Sequence, residues 1–497
     1  MTQTAGTSLT VEQRLAAGVL ESRLFIEAGP GTGKTTVAAQ RFGVHRFDPR
    51  ARTDTRAVVA VSFTRAATLT LARRVKRFWG SRALTWPHRI VTLDTIMSDL
   101  VGDLLHAGLL RWPNGHKDLQ VEDSWASFSG TTRNRTAYRL TIEHGQVVIR
   151  RYFTQSHHYT VPATVSLPLL DQGICTHDDV RDVLKQAIAD PTVAAHVRAR
   201  LATSTRALIV DEVFDANDLD IAIIEFAVEA GIAVTLVGDP WQALYVFRGA
   251  RPDVVPLLLD RHEFRRLALT ESFRWREPSQ RQLAEDLRAG RGVTLPISDD
   301  TSAVDVVLAL QWKPMWELGP EVLPLAFHGF KGGQEEAAAT LLLNHATRNI
   351  FSLDATYLND SLTALAISDR DLPRRIEPAL QAIIETLRPG TRASIRAAYV
   401  QLSELVAAIS PRRLRKPHAS HTGRLALIQE RLGFAGRPVP GLTTHQAKGR
   451  EWDTVGIRLS PDEQRRLANG LSVERDTDRQ LYVACTRACL RTAEISP

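Results

Sequence analysis

The stretch Arg23-Leu-Phe-Ile-Glu-Ala-Gly-Pro-Gly-Thr-Gly-Lys-Thr-Thr-Val-Ala-Ala39 decides the fold. RLFIEA (23–28) reads as a strand, and TTVAAQRF (35–42) starts a helix. Between them, Ala28 to Thr35 holds three alternating glycines followed by Lys34 and Thr35, with Ala28 in place of the first Gly of the general pattern. A glycine turn at that junction lets backbone N–H groups wrap phosphates at a helix N-terminus. Gly29, Gly31, Thr32, Gly33 and Thr36 would complete the cradle, Lys34 would reach the β- and γ-phosphates, and the Thr35 hydroxyl would hold Mg²⁺.

Working outward, AVVAVSF (57–63) is a second apolar strand, followed by the helix AATLTLARRVKRFW (66–79). This βαβα rhythm predicts a parallel sheet covered by helices. It stops after Asp94 and resumes with ALIVDE (207–212), AVTLVGD (233–239) and RLALTESF (266–273). Residues 96–200 are therefore expected to form an insertion of helices plus a hairpin turning at His144-Gly145, within a first domain of 1–95 and 201–275. ALIVDE supplies the acidic partner a phosphate loop needs: Asp211 as a Mg²⁺ ligand and Glu212 to orient and deprotonate a water. The rhythm returns in AVDVVLAL (303–310), VLPLAFHG (322–329), a helix over 334–345 and SLTALAIS (361–368) as a further strand. A second domain of 276–373 and 436–497 is expected, interrupted by a helical, Arg-rich insertion over 374–435. The predicted class is α/β, with two parallel-sheet domains that each carry a mainly helical insertion.

Composition narrows the function without naming it. The chain has 497 residues, 44% of them hydrophobic, and 62 Lys+Arg against 55 Asp+Glu, a net charge of +7. This excludes collagen-like, coiled-coil and wholly disordered chains. Only eight of the basic residues are Lys and 54 are Arg. Genome base composition and phosphate binding both account for that excess, and the total does not decide between them. Three Cys cannot build a disulfide framework, and Cys485 and Cys489 read as core thiols. The N-terminus lacks a signal-peptide pattern and no apolar run of membrane length occurs, so a cytoplasmic protein with no membrane partner is expected.

The order and content of the remaining segments resemble the UvrD/Rep/PcrA family of superfamily 1 helicases, across both α/β domains. Gln13 in LTVEQRLA resembles the glutamine that reads adenine, and SFTRAA (62–67) resembles the segment that contacts single-stranded DNA, through Phe63 and Thr64. VGDPWQALYVFRGA (237–250) is similar to motif III, with Gln242 sensing the γ-phosphate and Tyr245 and Phe247 near the bases. LTESFR (269–274) makes Arg274 a candidate γ-phosphate contact. THQAKGREW (444–452) places Thr444 and His445 toward DNA and Glu451 at the ribose position, and LYVACTRA (481–488) makes Arg487 the arginine finger. The resemblance implies two RecA-like phosphate-loop domains that use ATP and Mg²⁺ to move 3′ to 5′ on single-stranded or 3′-tailed DNA.

Three departures stand out: Phe214 replaces a Gln of the family's acidic segment, Asp94 replaces a His, and Ala66 replaces a Lys. The second-domain insertion is also small for the family. It holds a basic cluster, Pro411-Arg-Arg-Leu-Arg-Lys416 with His418, which is either a solvated charge run or a contact for duplex or a partner. Compact members serve as helicase subunits beside a nuclease subunit in Gabija-type antiphage systems. The alternative reading is a nucleotide-sensing ATPase subunit that regulates such a nuclease without processive unwinding. An unrelated phosphate-loop NTPase would leave Arg487 and Gln242 far from the nucleotide.

Overall fold

The computed structural model describes residues 9–125, 128–129 and 132–496. Its centre is two six-stranded sheets. In the first the strand order is Arg265–Leu269, Arg23–Ala28, Ala233–Gly238, Thr205–Asp211, Ala57–Ser62, Arg89–Thr92, with every pairing parallel. Ala57–Ser62 is buried at every position, as a strand covered on both faces must be. One face carries the helix Lys34–Arg46 over Ile26, Val58 and Ile209. The other face shares a single core with the insertion, where Val59, Val61 and Val210 join Leu100, Leu104, Val183 and Val197. The hairpin is present as Thr132–Glu143 against Gln146–Thr160. Its turn residues His144 and Gly145 have φ of 50° and 76°, the paired positive values a two-residue turn requires.

The second sheet has the order Ile297–Ser298, Ala488–Ile495, Trp452–Ile457, Val306–Ala309, Val439–Thr443, Val322–Pro324, again parallel throughout. Between the edge strand Val322–Pro324 and its neighbour Val439–Thr443 the chain leaves to form a helical body with its own core, built on Leu341, Leu380, Ile384, Leu402 and Ile428. The strand expected over 361–368 is not formed: Leu358–Ala364 is a helix, and the chain turns after it. Leu358, Leu362 and Leu365 recur at helical spacing and pack in that core. The helix expected over 334–345 runs on as Gln334–Phe351 and packs there too, so residues 334–373 lie with the helices of 377–432. All three Cys are buried free thiols. No helix among the described residues is long and apolar enough to cross a membrane.

Candidate active site

The phosphate-loop segment takes the conformation its glycines permit. Gly31 and Gly33 have φ of 75° and 90°. A Cβ on Gly31 would meet Arg274 Cβ at 2.5 Å, and one on Gly33 would meet Gln13 Nε2 at 2.6 Å. Gln13 is fixed by a capping box with Thr10 and donates from Nε2 to the Thr32 carbonyl at 2.9 Å. Lys34, at the start of its helix, donates to the Ala28 carbonyl at 3.2 Å and lies 3.8 Å from Glu212. The Thr36 hydroxyl accepts from Arg74 at 2.9 Å.

Opposite the loop, Thr205–Asp211 delivers the carboxylates. Glu212 has φ of 61°, the left-handed region where a non-glycine residue is held only by its surroundings. Burial, and then the charge of Glu212, push the Asp211 carboxyl well above the usual carboxylate range. Burial also acts to raise Glu212, but Lys34, Lys448 and Arg487 outweigh it and hold that carboxylate below its ordinary value. Thr35 lies close enough to Asp211 to act against its rise, while Asp211 Oδ1 is buried without a hydrogen-bond partner among the described residues. A hydroxyl beside an uncommitted carboxylate oxygen suits a hard cation such as Mg²⁺.

The second sheet contributes Arg487, and the connection leading into it contributes Arg274. Arg487 is 1% exposed; its Nε donates to the Val483 carbonyl at 3.0 Å, and its buried Nη2 has no partner among the described residues. Arg274 donates to Glu451 at 3.1 Å and to the Thr486 carbonyl at 2.9 Å. A cavity of about 840 Å³ gathers Gln13, Gly29, Gly31, Gly33, Lys34, Thr35, Thr36, Asp211, Glu212, Gln242, Arg274, Glu451 and Arg487 on its walls, with Phe63, Thr64 and Tyr245. Arg487 and Gln242 are thus beside the phosphate loop, contrary to what an unrelated NTPase would show. Thr32 is buried behind this wall.

The residues expected to face DNA divide. Thr64 uses its hydroxyl to cap the helix Arg65–Trp79, accepting from Ala67 N, and Phe63 packs partly against the first core. Phe247 is 64% exposed and forms an edge-on pair with His445 at 5.1 Å, with Tyr245 and Arg248 beside it. Thr444 is fully buried with its hydroxyl unpartnered among the described residues. Of the departures, Phe214 sits in the core edge-on to Phe25 at 6.1 Å. Asp94 pairs with Arg181 at 2.6 Å, which also pairs with Asp220, and Ala66 lines the cavity. In the basic cluster Arg413 folds back onto the Ser410 carbonyl and Arg415 lies 3.6 Å from Glu335.

Sequence reasoning missed three residues. Lys448 donates to Asp215 at 2.6 Å and to the Gln242 carbonyl at 2.8 Å, so this pair joins the two sheets across the cavity floor. Both residues lay in or beside segments already singled out, the acidic segment around Phe214 and THQAKGREW, and opposite charges in two such segments were the available signal. Arg288, which reaches Glu27 and Asp239, lies outside every such segment and had no sequence signal.

Residues 13–248 match a family model described as an AAA domain. The match takes in most of the first sheet and its insertion and ends before the second sheet. No curated protein matches the chain. The first sheet and its insertion are therefore similar to an AAA-type ATPase domain, a class that binds and hydrolyses ATP, usually with Mg²⁺.

Proposed function

We propose that the protein is a compact UvrD-like motor: two RecA-like domains that hydrolyse ATP between them and use the cycle to move 3′ to 5′ along single-stranded DNA. The observation that carries this reading is the meeting of Lys34 and Glu212 from one sheet with Lys448 and Arg487 from the other around one cavity. The loop N–H groups and Lys34 bind the β- and γ-phosphates. Bound between Thr35 and Asp211, Mg²⁺ would neutralise phosphate charge. Glu212, held ionised by its three cationic neighbours, accepts the proton of an attacking water. Arg487 and Arg274 stabilise charge on the transferring phosphoryl group, and Gln13 and Glu451 hold base and ribose.

Because Arg487 and Lys448 act from the far sheet, turnover is tied to closing of the cleft. Tyr245, Phe247 and His445 continue from the same segments to an exposed aromatic edge, where bases stack without sequence readout. The test is ATP hydrolysis with and without single-stranded DNA, followed by strand separation on a 3′-tailed duplex. Stimulation with unwinding is expected; a chain that hydrolyses no ATP overturns the reading.

The second reading, a nucleotide-sensing subunit that regulates a partner nuclease in antiphage defence, is favoured by Phe214. With Phe214 packed in the core against Phe25, this position offers the cavity no amide. DNA-stimulated hydrolysis without strand separation would select that reading over the motor.

A further inference from the structure

The segment 239–244 of the first sheet is gripped almost residue by residue from the side of the second. Trp241 packs on Tyr482 with ring centroids 4.8 Å apart, and Lys448, Arg479 and His445 reach the carbonyls of Gln242, Ala243 and Leu244. None of these reaches the Gln242 side chain, which Asp239 holds instead. Asp239 Oδ2 accepts from Gln242 Nε2 at 2.7 Å, and Asp239 Oδ1 accepts from Arg288 Nη1 at 3.0 Å. The Asp239 side chain is wholly buried, and Arg288 supplies a cation to it, with the Trp241 N–H also donating to Oδ1 at 3.2 Å. An acceptor-only carboxylate also fixes which end of the Gln242 amide is the nitrogen. The other arm of Arg288 donates to Glu27 at 2.8 Å, one residue before the phosphate loop. A Cβ on Gly29 would lie 3.7 Å from Arg288 Nη1.

We propose that Arg288 is a positioning residue: through Asp239 it sets the Gln242 amide in the cavity, so that this amide is oriented only while the helix Pro278–Arg288 is docked on the first sheet. The idea rests on the nucleotide reading above and adds to it a route from domain closure to the phosphate-facing side chain. Arg suits the task because its planar fork spans two carboxylates at once, whereas a Lys ammonium reaches one.

The test is a double-mutant cycle on the full chain, reading kcat for ATP and the Kd of a fluorescent ATP analogue. Arg288→Ala is expected to lower kcat on the order of 10-fold, as loss of a group supporting a reactive residue does. The Kd is expected to change by less than about 3-fold, since no phosphate or base contact is removed. In a Gln242→Ala background the same change is expected to cost nothing further in kcat, and Arg288→Lys to recover part of the single-mutant loss. Equal fractional losses in both backgrounds, or a weakened Kd with kcat intact, overturn the proposal. If Arg288→Ala does not fold, Arg288→Lys runs the same cycle with a smaller loss. Wild type and Lys34→Ala are measured alongside. No turnover by the wild type, or full turnover by Lys34→Ala, defeats the nucleotide reading itself. A working wild type that is indifferent to position 288 defeats this proposal alone.

Discussion

The two walls of the cleft are built from opposite ends of their sheets. The first sheet presents the carboxyl ends of its strands: Arg23–Ala28 runs into the phosphate loop, and Thr205–Asp211 runs into Glu212. There a helix begins, and its unpaired N–H groups face the cavity. The second sheet presents amino ends: Glu451 precedes Trp452–Ile457, and Arg487 precedes Ala488–Ile495. Here a helix, Asp476–Cys485, finishes two residues before Arg487, and a helix end of that kind offers carbonyls and favours cations. One wall can cradle phosphate with backbone; the other can reach it only with long basic side chains. A cleft of this kind is complete only when both walls are close.

The largest expected effect tests the cradle wall. Lys34→Ala and Glu212→Gln should each reduce ATP hydrolysis by roughly 10³-fold or more; robust steady-state turnover by Glu212→Gln would falsify the assignment of that wall. Next comes the side-chain wall. Arg487→Ala should cost about 10³-fold in kcat while a fluorescent ATP analogue still binds within a few-fold of wild type. Loss of binding instead would mean that Arg487 belongs to the ground-state cradle and that the walls do not divide the work.

The Lys448–Asp215 pair ties the walls together at the cavity floor. Lys448→Ala strands a buried carboxylate and should cost about 3 kcal/mol of unfolding free energy, measured by urea melts. An unchanged melting curve would show that the pair is not closed in solution. The smallest effect belongs to the exposed edge. Phe247→Ala should leave DNA-free hydrolysis near wild type and weaken single-stranded DNA binding by about 1–3 kcal/mol, read by fluorescence anisotropy. Unaltered DNA affinity would place the track elsewhere.

The same contrast explains what the sequence made legible. The cradle wall is local: strand, glycine turn and helix are contiguous in 23–46, so residue types and order suffice. The second wall has no backbone signature, and Arg487 and Arg274 could be picked out only because their flanking segments resemble a family's. Arg288 resembles nothing, because its role comes from partners at Glu27 and Asp239 far away along the chain. The strand misread over 361–368 failed for a related reason. A short apolar run satisfies either period, and the choice was made by a core that other helices supply.

The helical body hangs on Val322–Pro324 and Val439–Thr443, neighbours in register at the margin of the second sheet. The two strands run parallel, so the chain leaves at the carboxyl end of the edge strand and returns at the amino end of the interior strand beside it. The body is still separable from the second sheet's own core: Leu323 of the edge strand enters the body's core while Val306, Leu308 and Leu442 pack in another, so changes within the body need not disturb the interior strands. The first insertion has no such freedom, since its side chains are the floor on which the first sheet rests.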